Sequence, residues 1–251
     1  MNYINFTPLL TVLAIFAILQ GCKGPSVNSE QSKDSSGQDN HQLLQDSVEQ
    51  STSLTTSFAL QIPQGYTVFD KIAGDLNKDG IQDSVFIIKK IDPGQIIVDE
   101  LRGSLDRNRR GIVVFLSENH QYQVACQNLA CFSSENEDGG VYYPPELSID
   151  IQQNKLYIAY QHGRYGAWTY TFRYQANQFV CIGFDNSENY GPVIQQQTSI
   201  NFLTRKKLVK TNTNTLAEES GQEVFKQQLL ELEPGQLQVL SQVLDFDSLV
   251  F

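Results

Sequence analysis

The sequence is short of several residue types, and each shortage excludes a class of protein. Its 251 residues include 18 basic and 28 acidic side chains, which give a formal net charge of −10. Broad contact with DNA or RNA needs a basic face that displaces counterions, so no nucleic-acid partner is expected. The same shortage of basic residues argues against electrostatic docking on anionic lipid. The four cysteines are too few for a disulfide scaffold.

Motifs of several enzyme classes are missing as well. The sequence contains no HExxH, no CxxC with paired histidines and no serine in a nucleophile-elbow context. No reaction can therefore be read from the chain. We expect a binding or structural role rather than catalysis.

The N-terminal region lacks an apolar run long enough to cross a bilayer, which takes about 20 residues. Residues 1–21 have no charged side chain, and their eleven-residue run from Leu9 to Leu19 is broken only by Thr11. That length is typical of the core of a signal peptide. The run ends in Leu19-Gln20-Gly21-Cys22, which resembles the lipobox of bacterial lipoproteins.

This resemblance implies a lipoprotein signal peptide over residues 1–21 and acylation of Cys22, with palmitate as a typical chain. Several acyl chains would hold the protein on a membrane almost irreversibly. The implied location is the bacterial cell envelope, at the outer membrane or the cell surface. Two alternatives stay open: a signal peptide cleaved without lipidation, and a buried helix that ends near a free cysteine.

Residues 22–57 are interpreted as the acylated cysteine followed by a disordered tether. From residue 23 onward this segment is rich in Ser, Gln, Asp, Asn and Thr, has no aromatic residue and carries a net charge of −3. It cannot bury enough apolar surface to offset its ordering entropy. We expect it to link the lipid anchor to the folded part.

Residues 58–251 predict one mainly β domain, an antiparallel meander with a sandwich-like arrangement and few short helices. Buried strands are expected at 84–89 and 111–116, and two hairpins at 147–161 and 168–184, each with a polar turn. Trp168, Tyr170, Phe172 and Tyr174 share one face of a strand, which favours a core position over a sugar-stacking surface. Helix signals are scarce: apolar residues are scattered among polar ones at 216–232, and residues 235–244 could form a short helix that covers a sheet edge or face.

The sharpest chemical signal is the segment Asp75-Leu-Asn-Lys-Asp-Gly-Ile-Gln-Asp83. Its spacing offers side-chain oxygens from Asp75, Asn77, Asp79 and Asp83 and the carbonyl of Ile81. Ca²⁺ takes six to eight oxygen ligands, and Gly80 permits the sharp turn that such a loop needs. The loop lacks the bidentate Glu at position 12 of an EF-hand, where Phe86 stands.

The Asp-rich segment resembles the calcium loops of integrin-type, FG-GAP-like modules, in which such a loop leads into a strand. We therefore expect a structural Ca²⁺ ion here. The alternative is an acidic turn whose Asp and Asn side chains bond their own backbone. A broader resemblance to uncharacterised secreted bacterial proteins, carried by the Ile62–Asp70, Ala73–Ile81, Trp168–Tyr174 and Ser199–Thr204 segments, implies an exported β-rich domain.

Three weaker signals remain. Cys126 and Cys131 predict a local disulfide across a turn at 127–129, whereas Cys181 fits an unpaired core thiol. The polar, glycine-flanked loop His162-Gly-Arg164-Tyr165 fits a plain hairpin or crossover turn best. It could also bind a ligand, an envelope protein or a glycan, or serve an envelope hydrolase. The cluster Arg102, Arg107, Arg109 and Arg110 fits a solvated loop paired with acids better than an anion-binding surface.

Overall fold

The structure is a computed structural model that describes residues 61–118, 121–138, 143–249 and 251. The predicted signal peptide, Cys22 and the whole of the predicted tether lie outside this part of the chain. Within it, thirteen strands form antiparallel sheets and the helical content is four 3-10 turns, so the predicted mainly β, sandwich-like fold is confirmed. Among the described residues, no helix is both long and apolar enough to cross a bilayer.

The strands, in chain order, are β1 (Tyr66–Gly74), β2 (Asp83–Lys90), β3 (Ile96–Asp99), β4 (Gly103–Asp106), β5 (Arg110–Glu118), β6 (Gln121–Phe132), β7 (Glu146–Gln152), β8 (Lys155–Gln161), β9 (Gly166–Gln175), β10 (Gln178–Tyr190), β11 (Val193–Asn201), β12 (Lys206–Asn212) and β13 (Phe225–Glu231). The 3-10 turns are Pro93–Gln95, Gly163–Tyr165, Leu240–Gln242 and Phe246–Ser248.

These strands form two main sheets and one small one. The four-stranded sheet has the order β1-β2-β5-β6, and the seven-stranded sheet is a plain meander from β7 to β13. Strands β3 and β4 form a separate hairpin between β2 and β5. Both predicted hairpins, β7–β8 and β9–β10, are present. Their turns place Gln153, Asn154, Ala176 and Asn177 at positive φ, as two-residue turns between right-twisted strands require.

The core lies between the inner faces of the two main sheets. Alternate residues of β2 and β5, including Val85 and Val114, join those of β8 and β9, including Leu156 and Phe172, in one buried cluster. The C-terminal segment completes this core, because Phe246 stacks on Phe132 at 5.0 Å between ring centroids. Burial of these side chains is the main stabilising contribution to the domain.

The antiparallel order separates the connections between strands into two ends. Gly74 lies against Ile151, and the Asn154 side chain donates to the Asp75 carbonyl at 2.9 Å, so β1 and β7 finish at the same end. We call it the turn end: it holds the Asp75–Asp83 segment and the short turns at 153–154, 176–177 and 202–205. The opposite end, the loop end, holds residues 91–109, 133–138, 162–165 and 213–224.

Two expectations about the C-terminal part need correction. The helix expected within 235–244 is reduced to the single 3-10 turn Leu240–Gln242. The Leu240 carbonyl accepts from the Asn128 side chain and Val239 bridges to Val180, so the segment follows the sheets instead of coiling. The preceding apolar positions from Val224 to Leu230 belong to edge strand β13 and its approach, not to a helix.

Candidate functional site

The His162 loop is a tight connection between β8 and β9 at the loop end. The backbone N–H of His162 donates to the Gly166 carbonyl at 2.9 Å, and the N–H of Tyr165 donates to the His162 carbonyl at 3.0 Å. Gly163 has φ +51° and Gly166 has φ +117°, values that L-residues adopt only at a cost. The two glycines therefore fix how His162, Arg164 and Tyr165 are presented.

Gly166 is required by space as well as by conformation. A Cβ atom at this position would lie 1.7 Å from the backbone carbonyl oxygen of Ser187 on β10. No side chain fits such an approach without displacing a strand of the main sheet. The loop is therefore attached rigidly to the sheet that carries it.

This loop forms one wall of a surface hollow of about 450 Å³. The remaining wall comes from residues just before and within β7, above all Tyr143 and Glu146, and from Gln161 at the end of β8. Tyr143 is 86% exposed and Tyr165 is 46% exposed, so both phenol rings face solvent around the hollow.

The sequence alone identified only part of this hollow. His162, Arg164 and Tyr165 were predicted as a ligand loop, and the structure places all three on its wall. Tyr143 and Glu146 were missed because they lie far from the loop in the sequence and approach it only through strand pairing. No local signal in the sequence marks either of them.

A chain of aromatic contacts joins the His162 loop to the core. The His162 ring lies 5.0 Å from that of Tyr165 and meets Trp168 edge-on at 6.5 Å, and Trp168 stacks on buried Tyr160 at 5.3 Å. Further along β9, Tyr170 and Phe172 are almost fully buried. The aromatic stripe is therefore core, as expected, and only its Trp168 end reaches the candidate site.

The His162 side chain has the wrong neighbours for a catalytic pair. Its Nε2 lies 3.2 Å from the backbone carbonyl oxygen of Tyr143. Within the described part of the chain, neither His162 nor Arg164 forms an ion pair with a carboxylate, and Glu146 is the one acidic residue that lines the hollow. A hydrolase site would need a general base held by a second group.

Charged side chains elsewhere at the loop end are mostly paired. Asp138 accepts from both Arg102 and Arg107 at 2.7 Å, and Arg109 lies 3.2 Å from Asp245. The Arg107 guanidinium lowers the pKa of the Asp138 carboxyl below its usual range. The arginine cluster is therefore largely neutralised by acids, which is the alternative that the sequence favoured.

Two further cations lie deeper beneath this end. The Lys89 ammonium group forms ion pairs with Asp106 and Glu135. The same ammonium group and the Arg110 guanidinium both face the ring of Phe69. Arg110 is only 4% exposed, and burial lowers its pKa. These contacts attach β1, β2 and β5 to the residues that follow β6 and give the loop end a fixed base.

The Asp-rich loop at the turn end is closed by its own side chains. Asp75 accepts from the backbone N–H of Lys78 at 2.7 Å and of Gly80 at 3.2 Å. Asn77 accepts from the N–H of Asp79, and Asp79 accepts from that of Ile81 at 2.7 Å. Gly80 has φ +81°, which fits the turn that the spacing predicted.

Asp83 differs from the other carboxylates of the loop because it is fully buried. Its two oxygens accept from the backbone N–H groups of Leu76 at 2.7 Å and Ser117 at 2.9 Å. Burial raises the pKa of Asp83, and the nearby Asp79 carboxylate raises it further, although the two N–H donors oppose the shift. The carboxyl thus joins the loop to β5 but carries a charge that its surroundings compensate poorly.

The donor set of this loop suits a hard cation, since every candidate ligand atom is an oxygen. Each side-chain oxygen that accepts one backbone N–H keeps a second lone pair. Among the described residues, however, no three His, Cys, Asp or Glu side chains converge on a point that could hold a metal. The loop therefore has the ligand chemistry of a calcium site, while its oxygens are turned toward its own backbone.

The prediction of a Cys126–Cys131 disulfide is wrong, because both residues are free buried thiols on β6. Residues 127 and 128 stay paired with β5 and the pairing is irregular after them, but strand β6 runs through the segment where a turn was expected, and both side chains belong to the buried core. Burial raises the pKa of the Cys126 thiol to about 12 and also raises that of Cys131. Cys181 is a free, buried core thiol, as expected.

Comparison with known proteins adds no further assignment. No family model, no curated protein and no solved structure matches the chain. A functional assignment for this domain must therefore rest on the residues and geometry of its two ends.

Proposed function

We propose that this chain is a lipid-anchored lipoprotein of the bacterial cell envelope whose β domain binds a saccharide chain in the hollow beside the His162 loop. The observation that carries the binding assignment is the pair of exposed phenol rings, Tyr143 and Tyr165, that both line a hollow of about 450 Å³. The anchor rests on the Leu19–Cys22 segment of the sequence.

The chemistry of the hollow suits a sugar better than a purely apolar ligand. Aromatic faces pack against the C–H faces of pyranose rings, while their polar edges remain hydrated. Glu146, Gln161 and Arg164 supply carboxylate, amide and guanidinium groups that can each bond two neighbouring hydroxyls. A few polar groups around an apolar surface are the usual composition of a small-ligand site.

Binding is favoured over hydrolysis because the described residues around the hollow do not supply a general acid and base in contact. The rigid attachment through Gly166 also suits binding, since a preformed site loses less entropy when the ligand docks. The alternative function is an envelope hydrolase that uses His162 and Arg164. It would require Glu146 to act together with His162 in the presence of substrate.

We also propose a structural Ca²⁺ ion in the Asp-rich loop, with Asp75, Asn77, Asp79, the Ile81 carbonyl and Asp83 as ligands. A divalent cation would compensate the buried Asp83 charge and hold the loop against β5. Such a site would stabilise the turn end, at the far end of the domain from the hollow. It supplies no chemistry to the hollow itself.

The binding proposal can be tested with the single tryptophan of the chain as a reporter. Trp168 touches His162 edge-on, so a ligand in the hollow should change its fluorescence. The full-length protein in detergent would be titrated with soluble peptidoglycan fragments and with neutral oligosaccharides. A saturable change is expected, and Tyr165→Ala should weaken the affinity about tenfold, equivalent to about 1.4 kcal/mol.

Tyr190→Ala is the matched control. Tyr190 is 81% exposed at the same end of the domain but does not line the hollow. Equal loss of affinity in both variants, or no saturable change with any saccharide, would contradict the proposal. Release of shortened saccharide fragments during the titration would instead support the hydrolase alternative.

A further inference from the structure

A second cavity, of about 660 Å³, lies at the turn end beneath the segment 232–238. This segment is attached at both ends, because the Leu232 N–H donates to the Arg205 carbonyl at 2.8 Å and the Cys181 N–H donates to the Gln238 carbonyl at 2.8 Å. Within the described part of the chain, residues 233–237 make no backbone–backbone hydrogen bond. The segment therefore spans the ends of β10, β11 and β12 and leaves a space beneath it.

Apolar side chains line most of this space. They are Ile200, Phe202, Leu203, Leu232, Leu237 and Phe251. Ile200 is 3% exposed and belongs to the inner face of the seven-stranded sheet, whereas Leu203 is 45% exposed. The cavity thus runs from the edge of the core to solvent, a shape that suits a flexible chain with one end in water.

Two opposite charges also line the cavity, Arg205 and Glu233. Among the described residues, Arg205 forms one ion pair, with exposed Glu231 at 3.6 Å, which is longer than a hydrogen bond. Glu233 forms no ion pair in the same part of the chain. The polar part of the cavity therefore offers one cation and one anion, neither of which is firmly bound to a partner.

Arg205 is held in a tight turn at the rim of the cavity. Arg205 has φ +55° in the turn between β11 and β12, a conformation in which glycine or asparagine is normally favoured. Its position in the turn is fixed by Asn201, whose side chain accepts from the N–H groups of Leu203 and Thr204. Glycine adopts the same conformation without cost, so Arg205→Gly removes the side chain while keeping the turn.

We propose that this cavity binds a lysophospholipid with a zwitterionic head group. Its single acyl chain would occupy the apolar space, its phosphate would bind Arg205, and its ammonium group would bind Glu233. A guanidinium is the preferred protein partner of a phosphate. The site is separate from the saccharide hollow, which lies at the other end of the domain.

The test uses photoreactive lipids in envelope membranes of cells that produce the full chain. Three probes with the same photoreactive acyl chain are compared: lysophosphatidylethanolamine, lysophosphatidylglycerol and monoacylglycerol. The protein is then captured, and the labelled peptides are identified by mass spectrometry. Strongest labelling by the ethanolamine probe is expected, in peptides that contain residues 200–205 and 232–238.

Gly235 provides a variant that adds a bulky side chain to the lining of the cavity. It lines the cavity, and a Cβ there would meet no atom within 4 Å. Gly235→Phe should therefore reduce labelling at least tenfold. Glu218→Phe, which adds the same ring to an exposed position at the loop end, should leave labelling unchanged.

The charged residues test the head-group assignment. Arg205→Gly suits the positive φ and should reduce labelling by both phosphate-containing probes about tenfold. Lys206 is a neighbouring cation that does not line the cavity, so Lys206→Gln should leave the labelling unchanged. Glu233→Gln should remove the preference for ethanolamine over glycerol. Equal labelling by all three probes in the unmodified protein, or labelling by the phosphate-containing probes that survives Arg205→Gly, would overturn the proposal.

Discussion

Replacing Asp83 by Asn tests how the Asp-rich loop is joined to the sheet. The carboxylate is fully buried and accepts from two backbone N–H groups, those of Leu76 and Ser117, with its two oxygens. An Asn side chain keeps one acceptor oxygen and places an NH₂ group where the second oxygen was. One backbone N–H then faces another donor in a buried site.

The expected magnitude follows from these contacts. A hydrogen bond to a charged acceptor contributes about 1.5–3 kcal/mol, and a buried donor left unpaired costs about 1–3 kcal/mol. Removal of the poorly compensated Asp83 charge offsets part of that loss. We therefore expect the free energy of unfolding to fall by roughly 2–4 kcal/mol, equivalent to a Tm lower by about 5–12 °C for a domain of this size.

The assay is thermal and urea unfolding of the full chain in the presence of a calcium chelator, so that metal binding does not contribute. Asp79→Asn is the matched control, because Asp79 is exposed, the amide oxygen can keep its bond to the Ile81 N–H, and its second bond, from the Asn77 side chain, is itself exposed to solvent. Its free energy of unfolding should change by less than about 0.5 kcal/mol. Equal effects of the two substitutions would refute the role assigned to Asp83.

The pH dependence supplies a second check with a defined sign. Because the folded-state pKa of Asp83 is raised above its ordinary value of 3.8, its contribution to stability is fully present below that value. The contribution is lost as the pH rises through the folded-state pKa. The stability difference between the unmodified protein and Asp83→Asn should therefore be larger near pH 4 than at pH 7, and a smaller difference near pH 4 would contradict the reasoning.

The remaining predictions concern the anchor, the His162 loop, the thiols and the metal. Cys22→Ala should abolish incorporation of labelled fatty acid and move the protein out of the membrane fraction. Gly166→Ala should lower the free energy of unfolding by about 3 kcal/mol, measured in urea, because its methyl group would meet the Ser187 carbonyl. Peptide mapping under non-reducing conditions should find Cys126 and Cys131 free, and a linked pair would contradict the strand between them. Calorimetry should detect calcium binding with a Kd of about 10⁻⁴–10⁻³ M, and about 1.4 kcal/mol of added stability at ten times that Kd, whereas no heat would exclude the ion.

Local pattern was enough to predict the best-formed hairpins. In β7 and β8 every second residue is apolar and the connecting residues are Gln153 and Asn154, so both the strands and the turn could be read from adjacent positions. The Asp-rich turn was predicted for the same reason. The hydrogen bonds that Asp75, Asn77 and Asp79 side chains accept from the backbone of the loop join residues two to five positions apart, whereas Asp83 and the Asp75 carbonyl bond residues far away in the sequence.

Features that depend on distant residues could not be predicted. Strand β13 has mostly exposed side chains on both faces, so it lacks the alternation that identifies a strand, and its pairing with β12 determines its conformation. The spacing of Cys126 and Cys131 fits a short disulfide loop, but strand β6 continues through the segment between them, paired with β5 at residues 127 and 128 and irregular before Phe132. For the hollow, only the residues of the His162 loop could be predicted. Tyr143 and Glu146 meet this loop only after β7 pairs with β8.

Hydrogen exchange on the full chain, with and without soluble peptidoglycan fragments, tests the central claim most directly. If a saccharide binds beside the His162 loop, protection should increase in the peptides that cover residues 143–146 and 161–166. The loop at 213–224, which is exposed at the same end of the domain, should not change and serves as an internal control. Protection confined to other regions, or no change at a saturating saccharide concentration, would contradict the assignment of this hollow as the binding site.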